Sequence, residues 1–170
     1  ELNELKKEKK KMEQMFIMIS QKKSLINIDF FLVGYLMIIT TKNKKRTVDV
    51  GSPSFLLCFY STISKRTSSP ATSFPHAYEL LKRGKLESAN CLQAAHEFNK
   101  IRDALSQVAA DQVVWDVSAP DKLPPWGKNI SPTITSLGNY FLTADGKDLI
   151  FELVDLLQFA SDNGEDVEIN

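Results

Sequence analysis

At 170 residues, with 43% apolar and 25% charged side chains, the chain fits one domain with a possible appendage, and its core needs neither a disulfide framework nor a structural metal. Its two cysteines, Cys58 and Cys91, form no CxxC pair and lie in apolar, helix-like contexts; they read as buried thiols, with a disulfide between them left open. The zero net charge hides a split, because residues 1–46 carry 11 Lys/Arg against 5 Asp/Glu and residues 47–170 carry 10 against 16.

Residues 1–46 therefore read as a basic leader. The chain opens on Glu1, as a fragment or as a translation from an uncertain start, and Met37 is a candidate start. Residues 1–15 are helix-permissive and highly charged, and too sparse in apolar residues for a firm stripe. Lysines here could meet nucleic acid or anionic lipid, but Glu4, Glu8 and Glu13 dilute the charge and no nucleic-acid partner is expected. Phe30–Ile39 is a continuous apolar run, shorter than the roughly 20 residues of a membrane span. It reads as a buried strand or a short amphipathic piece, with a membrane anchor as the rival, and Lys42–Arg46 reads as a polar connector.

The body begins with a short β-like run, Thr47–Val50. Ser52-Pro53 then predicts a helix start, because serine caps free N–H groups and proline loses no hydrogen bond at the first helical position. Phe55, Leu56, Phe59, Tyr60 and Ile63 form its core stripe. Lys65–Phe74 reads as a loop. A short helix follows from Pro75 and stops at Gly84. Ser88–Val108 is the longest predicted helix, with Glu97 on its polar face and His96 at the surface.

Both tryptophans and four of the seven prolines lie between Val113 and Gly146. Val113–Val117 is β-branched and aromatic, hence a predicted strand. Pro124-Pro125 stiffens the loop that presents Trp126, and Gly127 lets the chain turn after it. A rigid indole so placed either anchors a partner or plugs the protein's own core. Ile134–Thr143 predicts a strand or bulged strand interrupted at Gly138-Asn139. Asp145-Gly146 is a turn, with Asp145 a candidate cap for the apolar helix through Leu149 to Ala160. Residues 161–170 read as a loose acidic tail. The predicted fold is α+β: a small mixed sheet with about four helices in one domain, residues 47–160, behind the basic N-terminal extension.

Six groups of residues in order resemble the immunity protein 70 family of bacterial polymorphic toxin systems. They are Val-Asp-Val-Gly-Ser-Pro-Ser-Phe-Leu, the spaced Phe-Pro, Glu-Leu and Gly-Lys-Leu, Val-Val-Trp-Asp-Val, Pro-Pro-Trp-Gly, Ile-Ser-Pro-x-Ile-Thr-Ser-Leu-x-Asn-Tyr-Phe-x-Thr and Asp-Gly-Lys-Asp-Leu, within roughly Val48–Ala160. Gly138 before Asn139 is a small departure from the family pattern. The resemblance implies a cytoplasmic α+β protein that neutralises a cognate toxin by binding it, with no enzyme activity and no cofactor. The partner-binding candidates are Trp115, Asp116, Pro125, Trp126, Asn139 and Tyr140. An acidic body would suit a basic toxin such as a nuclease, although the same charge can serve solubility alone.

Two other classes are open to the residues. A membrane-associated or scaffolding protein would use the leader. A small hydrolase would combine His76 or His96 with Asp116, although no motif places a nucleophile beside a base. No metal-ligating pattern is present.

Overall fold

Met37–Thr41 (β1) and Thr47–Gly51 (β2) form an antiparallel hairpin. The computed structural model describes Asn3 and residues 36–170. After the hairpin come helices Pro53–Arg66 (α1), Pro70–Ser73 (α2) and Pro75–Arg83 (α3), strand Lys85–Leu86 (β3) and helix Ser88–Leu105 (α4). Residues 106–148 then hold two single 3-10 turns, Ala110–Gln112 and Leu137–Asn139, and an isolated bridge of Leu142 with Asp148. Helix Leu149–Asn163 (α5) and strand Val167–Ile169 (β4) complete the order.

The sheet runs β2-β1-β4-β3, with every pairing antiparallel. The α+β expectation holds, but the sheet is not mixed. Its strands follow period 2, so Met37, Ile39, Val48, Val50, Leu86, Val167 and Ile169 are buried together. Helices α1, α3 and α5 contact the sheet, and α4 packs against α5 within the same core.

Local chemistry sets the helix ends. The Phe55 N–H donates to Ser52 Oγ at 3.2 Å, and Pro53 occupies the first position of α1. Gly84, at φ 71°, closes α3 through its N–H to Leu80 O at 2.9 Å. Asp148, and not Asp145, caps α5: its Oδ1 accepts from Phe151 N at 2.9 Å. The start of α3 is capped from a distance. Glu97 of α4 is 1% exposed, and its Oε2 accepts from His76 N at 2.9 Å and Ala77 N at 2.8 Å. Glu97 therefore leaves the polar face expected for it, because two orphan N–H groups lie within its reach.

The ends of the described chain differ from expectation. β1 is an interior strand, so the division at residue 46 runs through the β1–β2 hairpin, and Lys42–Arg46 is its turn. The supposed tail supplies the end of α5 and the other interior strand, β4. The tail's Glu165 lies 3.5 Å from Lys45 Nζ of the hairpin, and Arg46 of the hairpin lies 3.5 Å from Asp155 of α5 and over the Phe159 ring. Residues 36–170 carry 14 Lys/Arg against 16 Asp/Glu, so the net −6 assigned to the body shrinks to −2. The expectations for residues 1–35, except at Asn3, lie outside the described residues.

Candidate functional site

The stretch after α4 is ordered without regular secondary structure, because side chains of α1 take over the work of a neighbouring strand. Thr62 Oγ1 accepts from Val114 N at 3.1 Å and donates to Val114 O at 3.3 Å. Ser61 Oγ accepts from Val117 N at 3.2 Å. Val114 and Val117 are buried. The β-branched pattern thus reflects burial, while the backbone partners are two hydroxyls on a helix; the predicted strand at Val113–Val117 is absent.

Asp116 Oδ1 accepts from Ser118 N at 2.9 Å and from Ser118 Oγ at 2.8 Å, fixing a local turn. Farther on, the Gly127 N–H reaches Pro124 O at 2.9 Å, and Gly127 has φ 65°. Pro124 is buried and Pro125 exposed, so Trp126 stands at the tip of a pinned turn.

Trp126 is 39% exposed. Its Nε1 donates to Tyr140 Oη at 2.6 Å. Its ring meets Trp115 edge-on at 5.3 Å and 88°, and Phe55 at 6.2 Å. From Phe55 the aromatic contacts continue to Phe141, Phe59 and Phe98 in the core. Burial raises the Tyr140 phenol above its usual value, the Trp126 N–H partly opposes that, and nearby Cys58 adds to it. Tyr140 is therefore a neutral acceptor for the indole at ordinary pH.

The expected strand at Ile134–Thr143 is replaced by a capped 3-10 turn. Asn139 Oδ1 accepts from Thr135 N and Ser136 N, each at 3.1 Å, and its Nδ2 donates to Thr133 O at 3.0 Å. Ser136 Oγ accepts from Gly138 N at 3.2 Å. The interruption at Gly138-Asn139 was legible; its form was not, because Asn and Ser side chains satisfy the backbone that a sheet would otherwise pair.

Of the six candidates, Trp115, Trp126 and Tyr140 come together, Pro125 shapes the exposed tip, and Asp116 and Asn139 hold backbone turns. Beside Trp126 opens a cleft of about 230 Å³, lined by Phe55, Trp126, Asn129, Ile130, Ser131, Ile134, Tyr140 and Leu142. Sequence reasoning missed Ile130, Ile134 and Leu142 as site residues, and assigned Phe55 wholly to the core. Only the apolar character of these residues between turn signals could have drawn attention to them.

The hydrolase candidates are dispersed in role. His96 is exposed on α4, His76 begins α3, and Asp116 closes its own turn. Among the described residues no group of three or more His, Cys, Asp or Glu could hold a metal ion, and no helix is long and apolar enough to cross a membrane. Cys58 and Cys91 are free and buried; burial pushes their thiols up to about 12 and about 11.

The family model described as Immunity protein 70 matches residues 37–169. The match begins at the first residue of β1 and ends at the last residue of β4, taking in both interior strands of the sheet. No curated protein and no solved structure matches the chain.

Proposed function

Because the chain belongs to the immunity protein 70 family, we propose that it neutralises a cognate toxin by stoichiometric binding in the cytoplasm, without catalysis, and that the Trp126 face makes the contact. The observation that carries the choice of face is an indole 39% exposed, pinned by its own hydrogen bond and standing beside an open apolar cleft. An aromatic group already fixed in place loses little side-chain freedom on binding, which favours it as an anchor. Both earlier roles of Trp126 thus have support: one side of the ring packs on Phe55 and Trp115, and the rest faces solvent.

A basic nuclease is one toxin class that fits this reading. With residues 36–170 at only −2, its case rests on local charge more than on the total.

The test is titration of the full chain against the toxin domain encoded beside it, reading toxin activity and complex mass. We expect a one-to-one complex and loss of toxin activity at equivalence. Trp126→Ala should weaken binding by about 10- to 30-fold, the range of a moderate interface hot spot. Undiminished toxin activity in excess folded protein would sink the proposal.

A further inference from the structure

We infer that the Trp126 cleft and the first turns of α5 form one docking face, whose occupant is a toxin surface presenting an apolar anchor within a basic surround. The inference rests on the immunity reading above and gives the partner its chemistry.

The cleft's size comes first. At about 230 Å³ it lies below the roughly 300 Å³ at which small-molecule and cofactor sites begin. A single large side chain is a better match. The walls are chiefly apolar, through Phe55, Trp126, Ile130, Ile134 and Leu142, so the occupant's buried part must be apolar.

The exposed apolar surface extends beyond the cleft. Trp126 and Leu142 both line it, at 39% and 38% exposure. Leu142 pairs across an isolated bridge with Asp148, which caps α5, and the first turn of that helix exposes Phe151 at 58%. Phe151 is the most exposed large hydrophobic among the described residues. Exposed apolar groups gathered around a cleft mark an interaction surface more strongly than the same groups scattered.

Charge then selects the partner. Residues 142–155 carry Asp145, Asp148, Glu152 and Asp155 against Lys147, a local −3. Lys147 is engaged by Asp145 at 3.0 Å, and Arg46 approaches Asp155 at 3.5 Å from the hairpin. Across the cleft, residues 124–134 contribute one charge, Lys128. A partner seated here meets an apolar socket on one side and a carboxylate-rich helix start on the other. Lysine or arginine beside an apolar anchor complements both.

The experiment uses the full chain and a catalytically inactivated form of the adjacent-locus toxin domain, with calorimetric titration at low and high salt. Leu142→Lys and Phe151→Lys place cations at exposed positions and should each weaken binding by about 30-fold or more. Glu152→Lys should weaken it strongly at low salt and much less at high salt. Leu92→Lys, at an exposed position on α4, should bind like the unaltered chain. Circular dichroism and thermal melts check that each variant is folded. Tight binding by the unaltered chain that survives all three changes within about twofold would overturn this face while sparing the immunity reading. Absence of binding by the unaltered chain would overturn both.

Discussion

Gly138 stands where the 3-10 turn Leu137–Asn139 passes over the end of α4. A Cβ there would overlap Ser106 Oγ and lie 3.0 Å from the Ser106 Cα. The Leu137 N–H to Val108 O bond, at 2.9 Å, holds the two backbones together. Gly138→Ala should therefore cost about 1–3 kcal/mol in urea denaturation, with Ser106→Ala in the same chain restoring part of it. An unchanged midpoint in Gly138→Ala would show that the close approach is not maintained. Glu97 is a second residue whose importance is a matter of place. Glu97→Met keeps the bulk but leaves the His76 and Ala77 N–H groups without their acceptor. We expect it to lose about 1–3 kcal/mol by the same assay, and Glu97→Gln, which keeps an acceptor, to lose less. Equal losses would assign Glu97 a packing role only.

Among the elements, the β1–β2 hairpin and the α5–β4 corner are tied through Glu165. Burial alone would raise its carboxyl, but the nearby polar groups of Asn43 and Thr41, with Lys45 Nζ 3.5 Å away, hold it below the ordinary 4.5. A carboxyl lowered in the folded state takes up a proton on unfolding in acid. Its contribution is complete well above pH 4.5 and is lost as pH falls through the lowered value. Stability measured from pH 7 downward should fall across that range, and Glu165→Gln should flatten the fall; an identical acid limb in the variant would refute the assignment. The ion pair of Arg46 with Asp155 is exposed on both sides, so it adds little to the tie. The ends of α1 and α3 were legible because Ser52, Pro53, Pro75 and Gly84 act on adjacent backbone. The strands expected at Val113–Val117 and Ile134–Thr143 were not, because Thr62, Ser61 and Asn139 supply their backbone bonds from elsewhere. Half of the candidate site was legible for the same reason: Trp115, Trp126 and Tyr140 are unusual residues in a turn-rich stretch, whereas Leu142 becomes part of the site only when the chain folds back against Asp148.

For the whole molecule, the decisive fact is that the two interior strands, β1 and β4, come from opposite ends of the described chain. A chain beginning at Thr47 loses Met37 and Ile39 from the core and leaves β2 and β4 without their shared neighbour. We expect it to lack a cooperative thermal transition, while a chain beginning at Leu36 keeps one; cooperative melting of the shorter chain would show that β1 is dispensable. The sequence by itself determined the α+β class, the longer helices, the caps at Ser52 and Gly84 and the family, since each is written in short-range periodicity or in motif order; the short helix α2 fell in a stretch read as a loop. It also singled out Trp126, because a proline pair and a glycine around an indole constrain their neighbours wherever they occur. Only the tertiary structure decided which ends of the chain enter the sheet, how its strands are ordered, and that Leu142 and Phe151 join the Trp126 face. Those choices depend on backbone hydrogen bonds and burial between residues far apart in sequence, to which local pattern is blind.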